Sequence, residues 1–383
     1  MLRILTPGDI RMAPGISTEA GSILAALGAS KPLVVVDPVV HKLGLAGPAL
    51  DGLAAAGLSA AIFSAFSPNP TDTEALAAVE MARAAGADCV LGIGGGSAMD
   101  VAKVVALLSR HPGSLRDYSV PRIVDLPALP VLCIPTTAGT GSEVTRAAVI
   151  TDAATHEKLL VLGSALLPAV ALLDVELTLS CPYRVTVDSG LDALSHALEA
   201  LVNRNASPYS DGLATQAMRL IGGSLERAAR DPGNLAARSD MLFGASLAGM
   251  AVSHTSTALI HGMSRPIGAA FHVPHGMSNA MLMPLVTEWS AEAAPEAYAR
   301  AARAMGLADS PEALVAALKG LNSRLEVPDL RSLGIAAETF RAAIPEMARQ
   351  SVASGTPANN LRVADEGEVA ELYHRFLDES MSA

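Results

Sequence analysis

The chain has 383 residues, half of them apolar but only 3% aromatic, with a formal charge of -11 at pH 7. That length exceeds one ordinary core and predicts two domains, built mainly from Ala, Leu, Val, Ile and Met, as suits helices packed closely on a sheet. The acidic balance excludes an unaided grip on nucleic acid or an anionic membrane, so an anionic ligand must be held by local features.

In chain order, the opening MLRILTPGDIRMAPG has no long apolar core behind its basic residue and is interrupted by Pro7, Asp9 and Pro14, so no signal peptide is expected. Ser17 to Gly28 reads as a helix and Leu33 to Asp37 (LVVVD) as a strand. Asp37 ends that strand, where a carboxylate can accept both hydroxyls of an adenosine ribose and repel a 2'-phosphate; the alternative is a turn residue before Pro38. Further strands are expected at Ala61 to Phe66, Asp88 to Ile93, Val131 to Ile134 and Ala169 to Asp174, with helices at Thr73 to Gly86 and Ala98 to Ser109. Continuous apolar strands separated by helices imply a mostly parallel sheet covered on both faces.

GGGSAMDVAK, Gly94 to Lys103, follows a strand and opens a helix. Its glycines admit a ligand close to the backbone, Ser97 can cap the helix, and the free amides favour a pyrophosphate. It fits neither GxGxxG nor a Walker loop, and a plain tight turn is the other reading. PTTAGTGSE, Pro135 to Glu143, is a strand exit dense in hydroxyls that can wrap phosphate, ribose or a nicotinamide amide. Cys89, Cys133 and Cys181 are odd in number and widely spaced, which supports neither a disulfide framework nor a CxxC metal site and points to a reducing compartment.

From about Cys181 the β-branched runs give way to Ala/Leu/Met segments at helical spacing, so domains of residues 1–178 and 179–383 are expected, the second all helical, with ligands in the cleft between them. In GLDALSHALEA, Gly190 to Ala200, Asp192 and His196 stand four apart on one helix face. Met241 to Thr287 holds Arg265 alone among charged residues, together with His254, His261, His272 and His275. So many imidazoles in apolar surroundings are costly unless organised, and a bound metal is the simplest organiser. The stretch is long enough for a membrane span, but its histidines and Pro266, Pro274 and Pro284 favour a buried core.

GGGSAMDVAK, IPTTAGTGSEVT, GLDALSHALEA and HGMSRPIGAAFHVPHG occur in the order of the iron-containing (group III) alcohol dehydrogenases, and SPNPT, Ser67 to Thr71, also resembles a segment of that family. The resemblance runs from about Ser30 to Ala291. It implies an α/β NAD-binding domain with a mostly parallel sheet and an all-α metal-binding domain, the dehydroquinate synthase-like arrangement. The implied metal ligands are Asp192, His196, His261 and His275; the implied NAD contacts are Asp37, Asn69, Gly95, Gly96, Ser97, Asp100, Thr136, Thr137 and Lys158, with Lys103 supporting the loop. Iron and zinc both accept such ligands, and the family name favours iron.

The implied reaction is reversible hydride transfer between NAD and a small primary alcohol or hydroxyacid. Rivals are a lyase resembling dehydroquinate synthase, a polyol dehydrogenase, a maleylacetate reductase and a nonenzymatic nucleotide binder. A cytoplasmic homodimer is the accompanying expectation. One departure stands out: many family members carry a histidine four residues beyond the third ligand, where this chain has Arg265. A guanidinium cannot act as a general base near neutral pH, which leaves proton release to His272, a ribose hydroxyl or water. Arg265 then pairs with a protein carboxylate such as Glu199, or reaches the pocket and meets a carboxylate or phosphonate on the substrate. His254 reads as a histidine that supports the ligands from behind or sits in the core, and His41, His111, His156 and His374 as surface residues.

Overall fold

Side chains that alternate along a strand point to opposite faces of a sheet, and this chain uses both faces. In the computed structural model, which describes residues 2–382, the first of two units, Met1–Cys181, runs β1 (Asp9–Met12), α1 (Ala20–Ala26), β2 (Pro32–Val36), α2 (Pro38–Lys42), α3 (Gly47–Ala55), β3 (Ala61–Phe63), α4 (Asp72–Ala85), β4 (Cys89–Gly94), α5 (Gly96–Arg110), β5 (Val131–Pro135), β6 (Ala147–Thr151), β7 (Lys158–Leu162) and β8 (Val170–Leu173). Six strands form a parallel sheet in the order β1-β8-β5-β4-β2-β3. Leu33, Val35, Val90, Val131 and Cys133 face the core shared with α4 and α5. Val34, Val36, Leu91, Ile93, Leu132 and Ile134 face the opposite core with α1 and α3.

Several elements differ from the sequence reading. β3 stops at Phe63, because it is an edge strand paired only with β2; Phe66 still stacks on Phe63 at 6.2 Å. The helix expected from Ser17 begins as a 3-10 turn over Ile16–Glu19 and is α-helical only from Ala20. β1, α2, α3 and the antiparallel pair β6–β7 were not foreseen. β1 is four residues long, half exposed and paired only with β8, too short to display a period.

The second unit, Pro182–Ala383, contains helices and no named strand among the described residues: α6 (Tyr183–Leu201), α7 (Pro208–Arg230), α8 (Leu235–Thr255), α9 (Leu259–Phe271), α10 (His275–Ala291), α11 (Pro295–Ala304), α12 (Pro311–Arg324), α13 (Ala337–Ala353) and α14 (Glu366–Ser382). α6 packs on α7, α8 and α10, and α9 packs on α10 and α13. The expected α/β domain followed by an all-helical one is therefore what the chain forms. Among the described residues no helix is long and apolar enough to cross a membrane.

Candidate metal centre and nucleotide loops

α6 places Asp192, His196 and Glu199 at i, i+4 and i+7, one face of a helix, and all three are buried. α9 carries His261 and α10 opens on His275. One ligand atom each from Asp192, His261 and His275 lies within 4.8 Å of the others: Asp192 Oδ1 is 3.5 Å from His261 Nε2 and 3.6 Å from His275 Nε2. His196 is outside that tight group but adjacent, its Nε2 3.9 Å from Asp192 Oδ1 and its ring stacked on His261 at 4.6 Å. The His275 side chain is 49% exposed while that of His261 is 1%, so the group has one flank open to solvent.

The helices meet here for local reasons. Pro274 precedes the first turn of α10, where its missing N–H costs nothing. A Cβ on Gly276 would stand 2.2 Å from the Asp188 carbonyl oxygen, so only glycine lets α10 approach α6 this closely. One turn on, Asn279 Nδ2 donates to Asp192 Oδ1 at 2.7 Å and lies 3.1 and 3.3 Å from Nε2 of His261 and His275.

Glu199 supports the cluster from behind. Its Oε2 accepts from His261 Nδ1 at 2.6 Å and from the Ala258 amide at 2.9 Å, while Oε1 accepts from the His261 amide at 3.2 Å. α9 has no side-chain cap of its own, since Ala258 occupies that position, and Glu199 satisfies its first free N–H groups instead. Because a carboxylate only accepts, Nδ1 must carry the His261 proton and Nε2 is left to bind. Burial alone would raise Glu199, but His261 and the two amides hold it below its usual range. Burial likewise raises Asp192, yet His196, His275 and His261 carry it well below the carboxylate range. Desolvation opposes charge on His261, but Glu199 and Asp192 outweigh it and raise that imidazole to about 9.

The donor set fits a divalent ion, which would displace the second proton of His261 on binding: one carboxylate with imidazoles made neutral in this way is borderline-soft chemistry suited to iron or zinc. Two buried atoms beside it, His196 Nδ1 and Asn279 Oδ1, have no hydrogen-bond partner among the described residues, an expensive arrangement that a further group in the site would relieve.

The remaining sequence candidates of this unit lie outside that group. His272 is exposed, in left-handed backbone (φ 56°) between α9 and α10. Arg265 lies on α9 four residues past His261, exposed, with Nη2 3.4 Å from Thr257 Oγ1. The expected pairing of Arg265 with Glu199 is not formed, because Glu199 is taken by His261 and the start of α9. His254 Nδ1 donates to the Met250 carbonyl at 2.7 Å and the ring packs edge-on to Tyr209, a half-buried structural position.

In the first unit the nucleotide candidates gather at the carboxyl ends of β2, β4 and β5. The chain runs outward from β2 to β3 and then back across to β4 and β5, so β2 and β4 flank the crossover where open α/β sheets bind ligands. Asp37 caps α2, its Oδ1 accepting from the Val39 and Val40 amides at 2.8 and 3.2 Å. Gly94 (φ 149°) allows close passage, since a Cβ there would sit 2.7 Å from the Asp37 Cβ. Gly95 is the residue before α5 and Gly96 its first residue; Thr137 lies beside Gly95, and the Thr136 amide donates to the Gly94 carbonyl.

Ser97 Oγ donates to the Pro68 carbonyl at 2.6 Å instead of capping α5, which ties the SPNPT segment to the glycine loop. Lys158 Nζ donates to Asn69 Oδ1 at 3.0 Å and to Thr151 Oγ1 at 2.8 Å. Asp100 is turned to internal use, accepting from Ser142 Oγ at 2.7 Å and the Val149 amide at 2.9 Å. Lys103, fully buried, donates to Ser142 Oγ, Thr145 Oγ1 and the Ala147 carbonyl, as a loop support should. Ser142, Asn279 and the duty of Glu199 went unread in the sequence; the only signals were helical spacings, Glu199 three residues after His196 and Asn279 four after His275.

A family model described as iron-containing alcohol dehydrogenase matches residues 7–175, and one for the C-terminal part of Fe-containing alcohol dehydrogenases matches residues 186–377. The chain is 34% identical to an NAD-dependent methanol dehydrogenase of Bacillus methanolicus over 98% of its own length and 100% of the relative's. Among solved structures, a 1,3-propanediol oxidoreductase superposes with a TM-score of 0.94 at 33% identity, covering 98% of this chain and 100% of that one. A sulfoacetaldehyde reductase from Bifidobacterium kashiwanohense in complex with NAD+ superposes at 0.90 with 29% identity, covering 98% and 99%.

Proposed function

This chain belongs to the iron-containing alcohol dehydrogenase family, and on that premise we propose that it interconverts a small primary alcohol or hydroxyacid and the corresponding aldehyde or oxo acid, with NAD and a divalent ion, iron by family, held by Asp192, His196, His261 and His275. The observation that carries this reading is the convergence of Asp192, His261 and His275 around one point, with one flank open. When bound, the ion supplies a Lewis acid that lowers the pKa of the alcohol hydroxyl, and NAD supplies the acceptor for hydride.

The protein's own residues do the rest. Glu199 holds His261 in the tautomer whose Nε2 faces Asp192, and Asp192 offsets part of the ion's charge. His272, exposed and three residues before His275, passes the substrate proton to solvent in this reading. In the first unit, the Gly95 and Gly96 amides at the start of α5 suit a pyrophosphate, and Asp37, with Oδ2 uncommitted by its cap, suits the ribose hydroxyls. Thr136 and Thr137 stand at and beyond the end of β5, Ser97 ties the glycine loop to Pro68, Asn69 is bonded to Lys158, and all five are offered as further NAD contacts, while Asp100 contributes by fixing the segment from Ser142 to Val149. The cysteines are unbonded, in keeping with a reducing cytoplasm, and a homodimer is the proposed assembly.

His261→Ala tests the assignment: the purified variant should lose its metal and nearly all turnover while keeping NAD affinity. Stoichiometric metal in the variant overturns the ligand set. Net NADH formation from a plain alcohol by the wild type separates a dehydrogenase from a lyase that only borrows NAD.

A further inference from the structure

Between Met241 and Thr287, Arg265 is the sole Asp, Glu, Lys or Arg, so its own helix offers it no carboxylate, and Glu288 near the far end of α10 is bonded to Lys319. It forms no ion pair among the described residues, and its one side-chain hydrogen bond is the long contact to Thr257. The two carboxylates of the neighbouring cluster are committed: Glu199 to His261 and the start of α9, and Asp192 to Asn279 and the surrounding histidines. An exposed guanidinium therefore stands on the same face of α9 as His261, one turn away, about 6 Å along the axis.

We propose that Arg265 is the anion-recognition residue of the substrate site, so that the preferred substrate is a short hydroxyacid, or its semialdehyde, whose carboxylate meets the guanidinium while its hydroxyl end lies toward His261. This rests on the dehydrogenase reading above. The local charge agrees: Asp192 and Glu199 together offset a divalent ion, and Arg265 then leaves one positive charge in excess, which a monoanionic substrate neutralises. The planar fork of arginine matches a carboxylate in bidentate fashion. A lone neutral alcohol would leave it without a partner.

The test compares 4-hydroxybutyrate with 1-butanol as substrates for the metal-loaded enzyme, in wild type, Arg265→Met and Arg265→Lys. Binding of butyrate, which has no hydroxyl to oxidise, is measured by calorimetry in parallel, without NAD. The wild type should favour the acid at least tenfold in kcat/KM, mainly through KM. Arg265→Met should erase that preference and butyrate binding, and Arg265→Lys should retain part of both, with melting temperatures unchanged. Equal use of acid and alcohol by the wild type, or a preference that survives in Arg265→Met, overturns the proposal while leaving the dehydrogenase reading intact. Arg265-dependent butyrate binding by a protein that oxidises neither substrate keeps the anion site and overturns the dehydrogenase reading.

Discussion

Glu199 holds a metal-site imidazole and the first turn of a helix with the same two oxygens. Replacing it by glutamine keeps the size but presents an amide where His261 needs an acceptor. Partners of this kind are worth 10- to 100-fold in metal affinity, so Glu199→Gln should bind zinc or ferrous ion about 10- to 100-fold more weakly in a chelator competition, and affinity equal to wild type would remove the orienting role. Asp37 invites a different experiment. A negative charge at the end of β2 faces the place where the ribose would sit and opposes an added 2'-phosphate. Asp37→Gly should narrow or reverse the ratio of kcat/KM for NAD over NADP, and an unchanged ratio puts the discrimination elsewhere. The convergence of Asp192, His261 and His275 was legible because these candidate ligands sit in a few short segments almost free of other charge. The duty of Glu199 was not, because it depends on where α9 begins, some 60 positions further along the chain.

The β6–β7 hairpin shows the same limit one level up. Its strands alternate buried residues with half-exposed or exposed ones, yet among the named strands they pair with each other in a separate two-stranded sheet, so nothing in the run of parallel strands announced them. Its turn is held by Asp152, which accepts from the Ala154 and Thr155 amides at 2.9 Å each and from Arg116. The Thr155 amide and Arg116 depress this carboxyl to about 2. A carboxylate whose folded pKa lies below its unfolded value contributes stability that is complete above the unfolded pKa, near 3.8, and is lost as pH falls through the folded one. The turn amides of Ala154 and Thr155 should thus stay protected from exchange down to about pH 4 and open as pH approaches 2. In Asp152→Asn they should be loose at every pH; protection independent of both acid and substitution would show that the strands alone hold the turn. Since Lys158 begins β7 and binds Asn69, loosening here reaches the SPNPT segment. The long parallel strands, by contrast, were legible from composition, because residues buried on both faces leave no polar positions to blur the pattern.

Over the molecule as a whole, the candidate metal residues and the candidate nucleotide residues fall in different units of the chain, each with its own buried apolar residues. Hydrogen exchange should separate them. Adding zinc to metal-stripped protein should slow exchange in α6, α9 and α10 and leave the β4–α5 loop unchanged. Adding NAD alone should protect that loop, α2 and the SPNPT segment. Protection of the same peptides by both ligands would contradict the assignment of the two residue sets. What sequence could not supply at this scale is the internal wiring of the loops: Asp100 and Lys103 find Ser142, Thr145 and Val149 some 40 positions away, and no local period encodes such a meeting.

The cap that α6 lends to α9 has a consequence for how such a protein can diverge. The orientation of His261 is set from α6, through Glu199, so it does not depend on the residues that follow it on its own helix. Position 265 is consequently free to drift: a mutation there alters the company the enzyme keeps without disturbing the ion it depends on. A lineage built on this arrangement can exchange its clientele one substitution at a time while inheriting its chemistry unchanged.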